Sequence, residues 1–138
     1  MIVRAAPPEH YAWIRDRTGL RHSTEFRAIE ALDASGEIRG MVGYDDWTPN
    51  SVQMHVAIDT PIVTRALVRP AFVYPFIEAG RKVVIGVTPS DRERALVFNK
   101  RLGFHETMRL HNGYADGVDL VFQLMTRDEC RWLKGVSK

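Results

Sequence analysis

Two hydrophobic rhythms run along the chain. Residues 51–58 alternate strictly: Val52, Met54, Val56 and Ile58 face one way, and Gln53, His55 and Ala57 the other. That period of two belongs to a half-buried strand. Residues 37–47 repeat it, with Ile38, Gly40, Val42 and Tyr44 on one face, and residues 26–32 and the opening MIVRA read as two more strands. The turn-forming stretches DASG and TPN join 26–32, 37–47 and 51–58 into an antiparallel meander. Ahead of the meander, PPEHYAWIRDRTG has proline at its start and Gly19 at its end, the punctuation of a short helix.

The second half changes rhythm. Residues 62–79 are apolar and long enough for a helix, although Pro70 and Pro75 interrupt them. An interior proline costs a helix about 3 kcal/mol and bends it, so one kinked helix is expected. Residues 81–89, RKVVIGVTP, form the near-continuous apolar run of a strand buried on both faces, parallel to 51–58 through a right-handed crossover. Ser90 and Glu93 have capping-box spacing ahead of the stripe Ala95, Phe98 and Leu102. Gly103 fits the left-handed position that ends a helix, with Phe104 closing the contact. Lys100 and Arg101 suit the negative end of the helix dipole. ETMRL (106–110) and DLVFQLM (119–125) predict a hairpin around the loop HNGYADG, and RDECRWLK a last short helix ending at Gly135. The expectation is one α+β domain spanning 1–138, with a mixed sheet.

Composition narrows the chemistry. A chain of 138 residues, 45% hydrophobic and 26% charged, buries one ordinary core. A net charge of +2 does not by itself mark a nucleic-acid binder. The single Cys130 excludes an intramolecular disulfide and a cysteine-based metal site, and reads as a small buried hydrophobe. The five histidines lack paired spacing, so no metal is expected. Charges from Arg4 to Arg17 break every N-terminal apolar run, and no run reaches membrane-spanning length. A soluble, cytoplasmic protein without a membrane partner is expected.

Residues 95–104, ALVFNKRLGF, match the helix end A-x-x-x-Y-x-K-x-G-F of the GNAT superfamily of acyl-CoA N-acyltransferases, and the chain resembles that family. The preceding strand VVIGV fits the same order. The tail 116–129, DGVDLVFQLMTRDE, is similar to the ends of Rim-type N-terminal acetyltransferases. YDDWTPNSVQMHVA, YPF and RDECRWL together look like short GNAT proteins carried by phages and prophages. The resemblance spans residues 26–133. It implies a GNAT-like fold whose mixed sheet is splayed between strands 51–58 and 81–88, with flanking helices. It also implies acetyl-CoA as co-substrate and an amine-bearing acceptor, either a small molecule or a protein N-terminus. A homodimer is open to such a chain.

On this resemblance, pantetheine runs along the backbone of Val56, Ala57 and Ile58, and the pyrophosphate meets the start of the following helix. There DTPIVT (59–64) replaces the family's R/Q-x-x-G-x-G/A loop without a glycine, and Pro61 removes a donor. Arg65 and Arg69, four apart in the first turns, each oppose the helix dipole by about 0.3–1 kcal/mol unless an anion is bound. With the Thr60 and Thr64 hydroxyls they make either an anion site or a solvated basic face. Arg92 stands where the family often has an asparagine touching pantetheine, and Arg101 completes the cofactor-side set. Asn99 replaces a tyrosine that protonates the leaving thiolate in many relatives. It serves either as a cofactor contact or in a local hydrogen bond. Tyr114, in the expected hairpin loop, is either a substitute acid or a packing aromatic.

His55 is the candidate general base, since histidine titrates near neutrality, or else an ordinary hydrogen-bonded histidine. Asp45 and Asp46 either hold a cationic substrate, act as base, or belong to the turn. The leading function is N-acyl transfer to an amine by direct attack. Two alternatives stand beside it. One is a phage DNA-modifying enzyme of the Mom type, with Arg92, Arg94, Lys100 and Arg101 on phosphates, which the modest net charge does not favour. The other is a degenerate GNAT fold that only binds.

Overall fold

The computed structural model describes residues 1–20 and 25–136. The strands are β1 (Ile2–Ala5), β2 (Arg27–Leu32), β3 (Ile38–Asp45), β4 (Ser51–Ile58), β5 (Val83–Pro89), β6 (His105–Ala115) and β7 (Val118–Thr126). They form one seven-stranded sheet in the order β1-β2-β3-β4-β5-β7-β6. Neighbours are antiparallel except β4 and β5, which are parallel. The helices are α1 (Ala12–Thr18), α2 (Pro61–Val73) and α3 (Glu93–Leu102). No helix among the described residues is long and apolar enough to cross a membrane.

The period-two faces of the meander select the layers. Val42, Tyr44, Val52 and Met54 turn towards α2 and α3, joining Leu67, Phe72, Phe76, Leu102 and Phe104 in the larger core. Met41 and Ala57 turn the other way and pack with Tyr11, Ile14 and Phe26 around α1. The alternation predicts Ile38 on the face of Val42, but Ile38 lies on the opposite one. A bulge lets Leu32 pair with Ile38 while Ala31 pairs with Gly40, and Ile38 joins the α1 side. A buried carboxylate fastens the N-terminus to that side. Glu30, 0% exposed, accepts from Arg4 Nε at 2.9 Å and pairs with His10 Nδ1 at 2.6 Å.

Other expectations are corrected. β5 is not buried on both faces: Val83, Ile85 and Val87 are half-buried, because α1 packs on β3 and β4 and leaves that side of β5 open. Ser90 and Glu93 form no capping box. Arg92 is the N-cap of α3 and makes no side-chain cap, while Ser90 Oγ accepts from the Asp119 N–H at 2.8 Å and clips α3's entry to β7. The hairpin extends beyond 106–110 and 119–125, absorbing most of the loop into β6 and turning at Asp116–Gly117. The last helix shrinks to one 3₁₀ turn, Arg131–Leu133. Cys130 is buried, and burial pushes its thiol pKa up.

The proline-rich stretch stays helical. Pro70 sits inside α2, which passes at Tyr74 into a π turn, Tyr74–Glu78. Pro75 has no N–H for the carbonyl four residues back, that of Ala71. Tyr44 Oη fills the vacancy, donating to Ala71 O at 2.6 Å in the buried core. Gly103 ends α3 with φ 117°, and the Gly103 and Phe104 amides donate to Asn99 O at 3.2 and 3.0 Å. A Cβ on Gly103 would also meet Met125 Cε at 3.2 Å.

Tyr44→Phe leaves the Ala71 carbonyl buried and unpaired. It should destabilise the fold by about 1–3 kcal/mol in denaturant unfolding. Gly103→Val forces a β-branched residue into the left-handed region and should cost at least about 1 kcal/mol, read as a lowered denaturation midpoint.

Candidate active site

Among the described residues one ladder is parallel, and it is short. β4 meets β5 through Ser51–Val83, Val52–Val84 and Gln53–Ile85 only. Beyond those pairs, Met54–Ile58 stays bound to β3 and Gly86–Pro89 to β7, and the two strands part. Their facing N–H and C=O groups have no strand partner across the gap, an open demand that an extended ligand backbone can meet. On the helix side the gap is roofed by an apolar recess of about 20 Å³, lined by Val56, Ile58, Thr64, Val68, Phe98 and Leu102. That is room for about one water.

The polar face of β4 lies on the other side. His55 Nε2 and Asp45 Oδ1 are 2.7 Å apart, with side chains 17% and 8% exposed. The contact is a diagonal across the ladder, since His55 pairs with Gly43 and Asp45 with Gln53. A neutral His55 donates its Nε2–H to the carboxylate, leaving Nδ1 as the proton acceptor. Gly43 makes the place: a Cβ there would lie 2.3 Å from the Phe26 ring, which packs over this part of β3. Asp46 has φ 51°, a left-handed turn conformation, and is exposed.

Neither a protein-family model nor a curated protein matches the chain. Solved structures do. Mutant forms of the spermidine/spermine N-acetyltransferase SpeG from Vibrio cholerae align with TM-score 0.77 at 14% identity, over 99% of this chain and 99% of that chain. A chimera of the Vibrio cholerae spermidine N-acetyltransferase SpeG and hSSAT aligns with TM-score 0.75 at 15% identity, over 96% and 99%. A dodecameric structure of the spermidine N-acetyltransferase from Vibrio cholerae aligns with TM-score 0.73 at 15% identity, over 92% and 94%. The fold is the GNAT fold.

Within this fold, the residues expected on the cofactor side are distributed unevenly. Val56, Ala57 and Ile58 lie on the parted half of β4. Thr60 is the N-cap of α2 and its hydroxyl makes no cap bond. Thr64 lines the recess, and Arg65 is exposed one turn into the helix. Asp59, just ahead, is held by Arg17 at 3.4 Å and Arg39 at 3.9 Å, which offsets its charge at this helix start. Arg69 is not brought to this group, because it opens into a separate cavity near Tyr74 and Glu78.

On the β5 side, Asn99 Nδ2 donates to Gln123 Oε1 at 3.0 Å and lies 3.7 Å from where Gly86 would carry a Cβ. Gln123 in turn donates to Leu96 O at 3.3 Å. Arg92 and Arg101 are exposed on α3's flanks, and the Arg101 carbonyl accepts from Arg131 Nη2. Tyr114 is not a loop residue. It is 56% exposed on β6, the outermost strand, with β7 and β5 between it and β4, so it does not meet His55.

Gln123 was not among the sequence candidates, and its signal is in the chain. It occupies an inward position of β7 between Val121 and Met125, where an apolar residue is the rule.

Proposed function

We propose that the protein is an N-acyltransferase that moves an acyl group, acetyl first of all, from acyl-CoA to an amine by direct attack. The observation that carries this reading is His55, on the half of β4 that has parted from β5, held at 2.7 Å by Asp45 of β3. The likeness in fold to proteins named as spermidine N-acetyltransferases supports an amine acceptor.

Bound acyl-CoA would supply an activated thioester carbonyl and a thiol leaving group. The chain's part is to hold and to move protons. The parted backbone at Val56, Ala57 and Ile58 suits the amide-bearing pantetheine arm, with Asn99 on the opposite wall. At the first turn of α2 Pro61 carries no N–H and the Val63 N–H donates to Thr60 O at 3.1 Å, so the pyrophosphate would rest on the Thr60 and Thr64 hydroxyls and Arg65 beside the helix start. His55 Nδ1 takes the proton of the incoming ammonium, directly or through one water, while Asp45 holds the imidazole in that tautomer. The C–N bond then forms as the C–S bond breaks. A thiol of ordinary pKa, about 8.5, leaves as thiolate without an acid. A homodimer belongs to the same proposal: Met108 and Leu110 are exposed beside half-buried Leu120 and Phe122, an uncovered apolar sheet face. The glycine-free start of α2 favours the second reading, a GNAT fold that binds without transfer.

Incubation with acetyl-CoA and a panel of amines, followed by thiol release and product mass, separates the two. Transfer is expected. His55→Ala should lower turnover by about 10²–10⁴-fold and leave CoA affinity nearly intact. Full turnover in that variant overturns the role of His55, and no turnover by the parent protein with any amine favours binding alone.

Arg65→Glu reverses a charge beside the proposed pyrophosphate. It should weaken CoA by about 1–3 kcal/mol in calorimetry, the size of a charged hydrogen bond. Unchanged affinity removes Arg65 from the site.

A further inference from the structure

The α1 face of the sheet is unevenly covered. His55 stands on it, because Val52, Met54 and Val56 of the same strand turn towards α2 and α3. Val83, Ile85 and Val87 stand on it too, since Val84 between them is buried in the larger core. Over β3 and β4 this face is closed by α1 and Phe26, which pack on Met41 and Ala57. Over β5 it is open among the described residues, and Val83, Ile85 and Val87 are half-buried.

The open strip begins at the site. Gln53, two residues from His55, pairs with Ile85, and Val87 lies just beyond the point where the strands part. Ile85 pairs with Leu124 and Val87 with Phe122, both half-buried on the same face of β7. β7 lies about 4.8 Å from β5, so the strip is wide enough for one aromatic ring.

Charge is as one-sided as cover. Val83, Ile85, Val87, Phe122 and Leu124 carry no ionisable group. The carboxylates stand at the other end: Asp45 holds His55 at 2.7 Å, and Asp46 is exposed at the end of β3. An acceptor with its nitrogen at His55 thus has a carboxylate behind the imidazole and hydrocarbon across the gap. The rest of the acceptor has no room over β4, where α1 lies, and runs over β5. A second ammonium there would lose water and gain no counter-charge, whereas an apolar body gains by leaving water.

We propose that the acceptor is a primary amine on an uncharged apolar body, an arylalkylamine, and that Ile85 and Val87 select it. The inference rests on the acyl-transfer reading and names its substrate class. The ammonium gives one proton to His55 Nδ1, and the nitrogen lone pair attacks the thioester carbonyl carbon. The C–N bond forms, the C–S bond breaks with its electron pair on sulfur, and the second proton of the nitrogen ends on the thiolate. The products are a secondary amide and the CoA thiol, and His55 returns its proton to solvent.

The test compares kcat/KM for 2-phenylethylamine, methylamine and spermidine with acetyl-CoA. Phenylethylamine is expected to exceed each of the others at least tenfold. Ile85→Thr and Val87→Thr keep a branched side chain and add a hydroxyl. Each should lower kcat/KM for phenylethylamine at least threefold, through KM, and leave methylamine and CoA affinity unchanged. Spermidine equal to or better than phenylethylamine overturns the inference and leaves acyl transfer standing. So does an equal loss for both monoamines in the variants, which marks a structural role. A changed preference between acetyl-CoA and hexanoyl-CoA, with the amine ranking intact, overturns it by giving the strip to the acyl chain. If no amine is acetylated, acyl transfer fails, and the strip is decided by amide shifts of the isotope-labelled chain titrated with phenylethylamine in the presence of CoA. Saturable shifts at 83–87 retain the apolar seat, and none at millimolar amine overturns it. Concentration-dependent shifts at 83–87 without ligand overturn it by assigning the strip to a second copy.

Discussion

The parting of β4 from β5 is the constraint on which the molecule is organised. Backbone donors and acceptors are obligatory pairing groups, and a sheet normally satisfies them strand by strand. Here the ladder stops after Gln53–Ile85, in the middle of the sheet and not at its edge. The two halves must then be held by something other than each other. On one side β3 and β4 are clasped between α1 and α2. On the other, Asn99, Gln123 and the Leu96 carbonyl tie α3 to β7, and Ser90 clips the start of that helix to Asp119. Each half is held from its own side, so the gap persists although the backbone groups facing it have no strand partner across it.

The same arrangement divides the labour of the two sheet faces. The helix-covered face carries the apolar recess and the N-terminus of α2. The α1 face carries the His55–Asp45 pair. A linear co-substrate lying in the gap would touch both faces at once, with its anionic end at α2 and its reactive end near the imidazole. A buried His–Asp pair on a strand facing no gap would read as structural. The position of His55 on the parted half of β4 is what turns it into a candidate for proton transfer.

Several features show residues acting for one another across long sequence distances. Pro75 would leave an orphan carbonyl at Ala71, and Tyr44, 27 residues ahead of Ala71 in the chain, supplies the missing donor. Asp59 puts a negative charge at the start of α2, and Arg17 and Arg39 offset it from α1 and the edge of β3. Glu30 is a buried carboxyl group, met by Arg4 Nε at 2.9 Å and His10 Nδ1 at 2.6 Å from the N-terminal segment.

Periodicity made most strands legible, because side-chain direction along a strand depends only on local backbone geometry. The ends of α1 and α3 were equally legible at Gly19 and Gly103, since a left-handed residue is a local demand that glycine meets. The ALVFNKRLGF helix end led to the right fold. What the chain alone could not decide depends on partners brought from elsewhere. Ile38 changed face through a bulge whose other half is Leu32, and Ser90 left its expected cap for Asp119. Tyr114 joined an extended edge strand, and Arg69 turned to a cavity built by the N-terminal strands. His55 and Asp45 were each visible as candidates. Their 2.7 Å contact exists because the β3–β4 register sets them on a diagonal, and register is a tertiary decision.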